Sequence, residues 1–150
     1  MSTETDLIKL YSSRILALAA DMPLTARLAQ PTATAKRRSP LCGSTVTVDV
    51  QVEDGLITAF GQEVRACALG QAAASLVAAS IIGRSQAQVQ AGHDALALML
   101  KQGGPPPAPP FAGFEVLAPA RDYKNRHASI MLAFAATLDA LTQAAQTRSA

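Results

Sequence analysis

Two cysteines of the sequence have a spacing that could bring their thiols together. Cys42 lies twelve residues before Asp54, and Cys67 lies twelve residues after Gly55. An Asp-Gly pair between two alternating segments is a strong hairpin-turn signal. Because antiparallel strands bring positions at equal distance from the turn together, both thiols are predicted at the open end of one hairpin.

The surroundings of Cys67 and of one histidine also suit metal or sulfur chemistry. Cys67 falls at the predicted start of a helix, where unpaired backbone N–H groups and the helix dipole favour a thiolate. His127 has helical spacing to Ile130, Phe134 and Leu138, so its imidazole is expected at the edge of the core. Thiolate and imidazole together are ligands for zinc or for the iron of an iron–sulfur cluster.

Each of these residues also has a plainer interpretation when it is taken singly. Cys67 would serve as a small buried hydrophobic residue. His127 would be a core-edge histidine held by hydrogen bonds, and Cys42 would have no role. The other histidine, His93, lies in the polar stretch QAGHDA and is predicted to lie on a solvated helix face.

The elements that would position these residues follow from hydrophobic periodicity and turn signals. Alternating valines between residues 46 and 52 and the segment LITAFGQEV predict the two strands of the hairpin. The predicted helices span residues 5–20, 67–82 and 85–101, with a last helix beginning near Asp122 or Lys124. Residues 23–40 are predicted to form a loop with one short edge strand. The fold class is therefore α+β, a small antiparallel β-sheet covered by helices.

Length and composition indicate one domain over residues 1–150, with a stiff Pro/Gly-rich linker at 103–113. The chain has no Trp, only 4% aromatic residues and a net charge of +2, so nucleic-acid binding is not expected. The run Lys36-Arg37-Arg38 is interpreted as a solvated turn, and a partner-docking patch is the alternative.

Neither a secretory signal nor a membrane span is expected. The first ten residues have no basic start followed by a long apolar run. The most apolar stretch, ACALGQAAASLVAASIIG, is interrupted by polar residues and glycine, as in a buried helix. A cytoplasmic location is predicted, and cysteines there are more often thiols or metal ligands than disulfides.

The segment PLCGSTVTVDVQVEDGLITAFGQEVRACALGQAAASL resembles the core of the U-type iron–sulfur cluster assembly scaffolds, the IscU/SufU/NifU N-terminal group. That family shows a P-x-C-G-D segment, a hairpin with a D-G turn and a G-C-A-I-S-x-A-S-x-S segment, which RACALGQAAASL matches. Weaker similarity extends through LYSSRILALA and DYKNRHASIML. The resemblance implies a SufE/IscU-like fold.

The resemblance also implies a ligand set. In the family, three cysteines and an aspartate, or a histidine, hold a nascent [2Fe–2S] cluster or a zinc ion. Cys42 and Cys67 match the first two cysteines, whereas Ser44 stands in place of the aspartate and the third cysteine is absent. The family's histidine-cysteine segment can be aligned with DYKNRHASIML in two ways that differ by one residue. His127 takes the position of a ligand in both, and is therefore the third ligand that the resemblance implies. Ser44 and Asp122 are additional candidates.

The implied function is a scaffold that transiently binds iron and a [2Fe–2S] cluster and transfers it to apo iron–sulfur proteins. A cysteine desulfurase would supply sulfur as persulfide. Neither a nucleic acid nor a membrane is expected as a partner, and the role is binding rather than enzymatic turnover. The alternatives are a zinc-binding sulfur-transfer partner of the desulfurase and a degenerate relative that has lost the metal site.

Overall fold

A computed structural model describes residues 11–40 and 43–149. Its sheet has three antiparallel strands in the order β1-β2-β3, namely β1 (Ala33–Arg38), β2 (Thr45–Glu53) and β3 (Leu56–Arg65). The predicted hairpin is confirmed, because β2 and β3 pair and turn at Asp54 and Gly55, with φ of 54° and 78°. Lys36, Arg37 and Arg38, predicted as a turn, instead lie in β1, one of the two edge strands.

Four α-helices are described: α1 (Ser13–Ala20), α2 (Ala68–Ala79), α3 (Gln86–Gln102) and α4 (His127–Ser149). The Ser85 side chain caps α3 and forms a capping box with Gln88, as its position predicted. The last helix begins at His127, later than predicted, because two 3₁₀ segments, Ala112–Asp122 and Lys124–Arg126, precede it. Residues 5–10 of the first predicted helix lie outside the described residues.

The core lies between one face of the sheet and the helices. That face presents Ala35, Val46, Val48, Val50 and Phe60, all buried. Helix α2 is buried along most of its length, which confirms its prediction as the central helix. Its small side chains allow α1 and α4 to pack closely on it.

The opposite face of the sheet is covered in its middle by the segment before β1. The buried carboxylate of Asp49 accepts hydrogen bonds from Arg27 Nε (2.6 Å), Leu28 N (3.0 Å) and Thr34 Oγ1 (2.6 Å). Gly61, beside Asp49 in β3, makes room for this segment, since a Cβ there would lie 2.4 Å from the Ala26 carbonyl oxygen. The segment is thereby fixed over the centre of the sheet.

The Pro/Gly-rich segment 103–113 is less exposed than predicted. Phe111 is buried and packs edge-on against Phe134 of α4, with ring centroids 5.1 Å apart. Gly92 of α3 allows this contact, because a Cβ there would lie 2.7 Å from Phe111 Cδ2. The apolar ring therefore anchors the segment across α3 and α4.

The stretch Lys124–Thr147 is long and apolar enough to cross a membrane by length and composition alone. More than half of its most apolar part is buried inside the fold. It packs on β1, β2, α2 and α3, so its apolar surface forms part of the protein core.

Candidate functional site

Cys67 lies where β3 gives way to α2. It is the N-cap residue of α2, with φ −67° and ψ 171°, and its side chain makes no capping hydrogen bond. The thiol is half-buried. Thr45 pairs with Arg65, and continuing this register past the strand ends would place Gly43 opposite Cys67. Cys42 itself lies outside the described residues, so its closeness to Cys67 stays a prediction.

A buried hydroxyl group lies beside the Cys67 thiol, and a second buried hydroxyl lies next to the first. Ser129 Oγ, on the first turn of α4, is 3.6 Å from Cys67 Sγ and 3.2 Å from Ser44 Oγ. Ser44 and Ser129 are 4% and 1% exposed, so neither hydroxyl is a solvated surface group. The structure therefore connects Ser44, a predicted additional ligand, to Cys67 through the hydroxyl of Ser129. Ser129 was not among the residues predicted from the sequence. Its position next to the apolar stripe of a core helix is a signal that could have indicated it.

Gly70 sets the distance between α4 and the thiol. A Cβ at Gly70 would lie 2.7 Å from Ser129 Oγ and 2.8 Å from Ala66 Cβ. Both values are too short for real carbon contacts, so a side chain here would push Ser129 and the start of α4 away from α2.

Gly70→Ala is therefore expected to lower the free energy of unfolding by about 1–3 kcal/mol, as overpacking does, despite the higher helix propensity of alanine. Urea denaturation measures the change. Gly113→Ala is the matched control, because its Cβ would meet Leu76 Cδ2, the end of a flexible side chain, at 3.1 Å. Equal effects of the two substitutions would contradict a tight contact at Gly70.

His127 is buried and its ring orientation is fixed by the backbone. Nε2 lies 3.0 Å from the Ala120 carbonyl oxygen and 3.1 Å from that of Arg121. Because carbonyl oxygens only accept, Nε2 carries the proton and donates, which leaves the lone pair of the neutral ring on Nδ1. Metal-binding histidines have this same arrangement, with the second ring nitrogen held by a backbone carbonyl.

The His127 ring lines a cavity of about 760 Å³ between α3 and the start of α4. Asp122 and His93 line the same cavity, whereas Cys67 and Ser44 do not. His93 was predicted on a solvated helix face, but its side chain is only 28% exposed and packs edge-on against Phe134. The reason is that Gly92 lets the Phe111 and Phe134 rings reach this part of α3.

The structure thus places the predicted ligands in two groups. Cys67 and Ser44 lie together with Ser129, and His127 and Asp122 lie at the cavity. Helix geometry explains the division, because positions 127 and 129 point about 200° apart on an α-helix. Within residues 11–40 and 43–149, no three His, Cys, Asp or Glu side chains are placed to hold a metal ion. Cys42 lies outside that range, and a metal site that includes it stays a prediction.

No family model and no curated protein matches the chain. One similar structure is the N-terminal part of a nitrogen-fixing NifU-like protein from Brucella abortus. Its sequence is 44% identical to that of this chain, and the two structures superpose with a TM-score of 0.92. The alignment covers 94% of this chain and 98% of that one.

A second similar structure comes from thermophilic Fervidobacterium islandicum and is described as an iron–sulfur cluster assembly scaffold protein for the SUF system. It is 17% identical, with a TM-score of 0.81 over 89% of this chain and 98% of that one, and shows a shared fold. The fold is that of the U-type scaffolds. The chain belongs to the NifU-like N-terminal family, which confirms the resemblance seen in its sequence.

Proposed function

We propose that this protein is an iron–sulfur cluster assembly scaffold. It binds iron and a nascent [2Fe–2S] cluster through Cys42, Cys67 and His127 and transfers the cluster to apo-proteins in the cytoplasm. The observation that supports this most is the half-buried thiol of Cys67 at a helix start, in a chain 44% identical to a NifU-like protein. The cluster is cargo, so the role is binding and transfer rather than catalytic turnover.

Sulfur would reach the site from a cysteine desulfurase that carries a persulfide. The thiolate of Cys67 attacks the terminal sulfur of that persulfide, and a new S–S bond forms on Cys67. The S–S bond of the donor breaks, and the donor cysteine leaves as a thiolate. Ser129 Oγ, 3.6 Å from Cys67 Sγ, would donate a hydrogen bond to the Cys67 thiolate before it attacks.

The donor set fits iron or zinc only in part. Two thiolates and the Nδ1 lone pair of His127 would make three ligands, and Zn²⁺ or cluster iron takes four. Because Cys67 and His127 lie in separate groups in the described structure, this set requires the two groups to come together when the metal binds. Ser44 and Ser129 add neutral hydroxyls, which are poor ligands for these metals. Asp122 lines the same cavity as His127 and is the carboxylate that could complete the set. An open position of this kind suits transfer of a cluster better than storage.

A zinc-binding sulfur-transfer partner of the desulfurase is the second candidate function. The observation that favours it is the Ser129 hydroxyl beside Cys67, linked to that of Ser44, where the family pattern has a charged aspartate. Hydroxyl donors stabilise a sulfur anion without ligating a metal. In this alternative a zinc-held thiolate accepts the sulfur, and no cluster forms.

The test is anaerobic reconstitution of the whole protein with ferrous iron, cysteine and a cysteine desulfurase, followed by absorption spectroscopy and metal analysis. Visible sulfur-to-iron charge-transfer bands with bound iron and sulfide would support the scaffold. A colourless protein with one tightly bound zinc and a stimulated desulfurase would support the sulfur-transfer partner. A protein that binds neither metal would overturn both and indicate a relative that has lost the site.

A further inference from the structure

Two rows of side chains on the outer face of the sheet are left uncovered. The strand register aligns Lys36 with Thr47 and Glu63 in one row. It aligns Arg38 with Thr45 and Arg65 in the next. No described residue of the segment that covers Asp49 and Gly61 lines these rows, although Arg27 of that segment is close enough to Glu63 for their charges to interact. They form a groove of about 690 Å³, called here the basic groove, lined by Lys36, Arg38, Gly43, Thr45, Glu63 and Arg65.

The basic groove carries three cationic side chains and one carboxylate. Lys36 and Arg38 make no ion pair with any residue in 11–40 or 43–149. Arg65 meets Glu63 only loosely, at 3.8 Å, with the two side chains 80% and 50% exposed, and such a pair contributes little. Arg37, between Lys36 and Arg38, points to the other face and pairs with Asp139. The positive charge of the groove is therefore free to act on a partner.

The basic groove lies at the end of the sheet from which both cysteines extend. Gly43, which lines it, directly follows Cys42, and Arg65 lies two residues before Cys67. A protein that delivers sulfur to these thiols must bring its own cysteine to this end of the sheet. Its surface must then lie beside the unpaired charges of Lys36 and Arg38.

We propose that the basic groove docks an acidic surface segment of the sulfur-donating protein, the cysteine desulfurase of the proposed function. Charge complementarity of this kind accelerates encounter and fixes orientation more than it adds affinity. It would present the donor persulfide to Cys67 in one orientation. This inference rests on the proposed function, because that function supplies the partner.

Nucleic acid is the other polyanion that basic side chains attract, and the groove suits it poorly. Its two rows have no aromatic residue on which a base could stack. A carboxylate, Glu63, stands in one of them and would repel phosphate. Three cations over two rows are also few compared with the phosphate contacts that nucleic-acid binding usually requires.

The experiment measures the affinity and association rate of the desulfurase for the folded full-length protein at low and at physiological salt. Arg38→Glu is expected to weaken binding roughly tenfold at low salt, mainly through slower association. Glu63→Lys is expected to tighten it several-fold, because it removes the one negative charge of the groove. Arg14→Glu is the matched control, an exposed arginine on α1, and should leave binding unchanged.

Three results would overturn the inference. Arg38→Glu and Arg14→Glu could weaken binding equally, which would indicate only a net-charge effect. A second result is that neither Arg38→Glu nor Arg14→Glu changes the binding of the desulfurase. Arg38→Glu could instead abolish retention of a single-stranded oligonucleotide while desulfurase binding stays intact, which would assign the groove to nucleic acid.

Transfer of radiolabelled sulfur from cysteine separates this inference from the proposed function. If the unmodified protein accepts sulfur and Arg38→Glu accepts it at the same rate, the docking surface is wrong and the function stands. If the unmodified protein accepts neither sulfur nor a cluster, the proposed function fails. Groove-dependent binding of the desulfurase in that case would still establish the docking surface.

Discussion

Cys67→Ala should retain no more iron and sulfide after anaerobic reconstitution than a sample without desulfurase. The substitution removes the thiolate at the start of α2, and the neighbouring hydroxyls of Ser44 and Ser129 cannot replace it as a ligand. The fold should persist, because Cys67 is only half-buried and makes no capping hydrogen bond. The expected change in the free energy of unfolding is within about 1 kcal/mol. Iron and sulfide analysis together with thermal melting measure both quantities.

A control must separate loss of a ligand from loss of stability. Ser85→Ala removes the N-cap of α3 and should cost about 1 kcal/mol, yet it should leave cluster retention unchanged because Ser85 lies on another element. A Cys67→Ala protein that still assembles a complete cluster would disprove the assignment of this thiol.

Cys42→Ala is expected to cause the same loss as Cys67→Ala, because two thiolates from one hairpin end are needed to hold iron. Ser129→Ala should have a smaller effect, since it keeps both thiols and removes only the hydroxyl beside Cys67. Full cluster retention by Cys42→Ala, measured in the same assay, would mean that the spacing argument from the Asp54-Gly55 turn is wrong.

The parts of the fold that the sequence predicts are those with local signals. The Asp54-Gly55 turn requires positive φ, and its flanking segments alternate, so the hairpin follows from the sequence. Its register does not, because an irregularity between Gln51 and Val52 shifts the pairing by one residue, which would bring Gly43 rather than Cys42 opposite Cys67. Like the turn, the start of α3 is defined locally, by Ser85 and Gln88. Helix α2 is predicted because it is apolar on nearly every side, which only a central helix tolerates.

The parts that could not be predicted depend on contacts between distant segments. The hydroxyl of Ser129 reaches Cys67 only because Gly70 allows α4 to approach α2. The helical spacing of His127 correctly indicates the core edge, yet the ring is turned by carbonyls of the preceding 3₁₀ segment. Asp49 alternates with valines as an outward-facing strand residue would, and nothing local indicates that Arg27 lies over it.

Asp49→Ala is expected to lower the free energy of unfolding by about 1–3 kcal/mol, because it leaves hydrogen-bond donors without their acceptor while Arg27, whose side chain is 45% exposed, stays solvated. The carboxylate is fully buried, and its removal leaves Arg27, Leu28 N–H and Thr34 without their acceptor. Chemical denaturation measures the change. Arg37→Ala is the control, because it breaks an exposed ion pair with Asp139 and should cost less than about 1 kcal/mol. Similar losses in the two variants would show that Asp49 contributes no more than a surface charge.

The stabilisation from Asp49 should also depend on pH, and its direction follows from the pKa. Burial alone would raise the pKa of Asp49, but the hydrogen bonds from Arg27, Thr34 and Leu28 N–H outweigh it and hold the pKa below its ordinary value. A carboxyl group whose pKa is lower in the folded state stabilises the fold above its unfolded pKa, about 3.9. That stabilisation is lost as the pH falls toward the folded pKa, because the unfolded chain binds the proton first. The stability difference between the unmodified protein and Asp49→Asn should therefore be constant near neutral pH and shrink below about pH 4, and a difference that grows with acidity would contradict the ion pair.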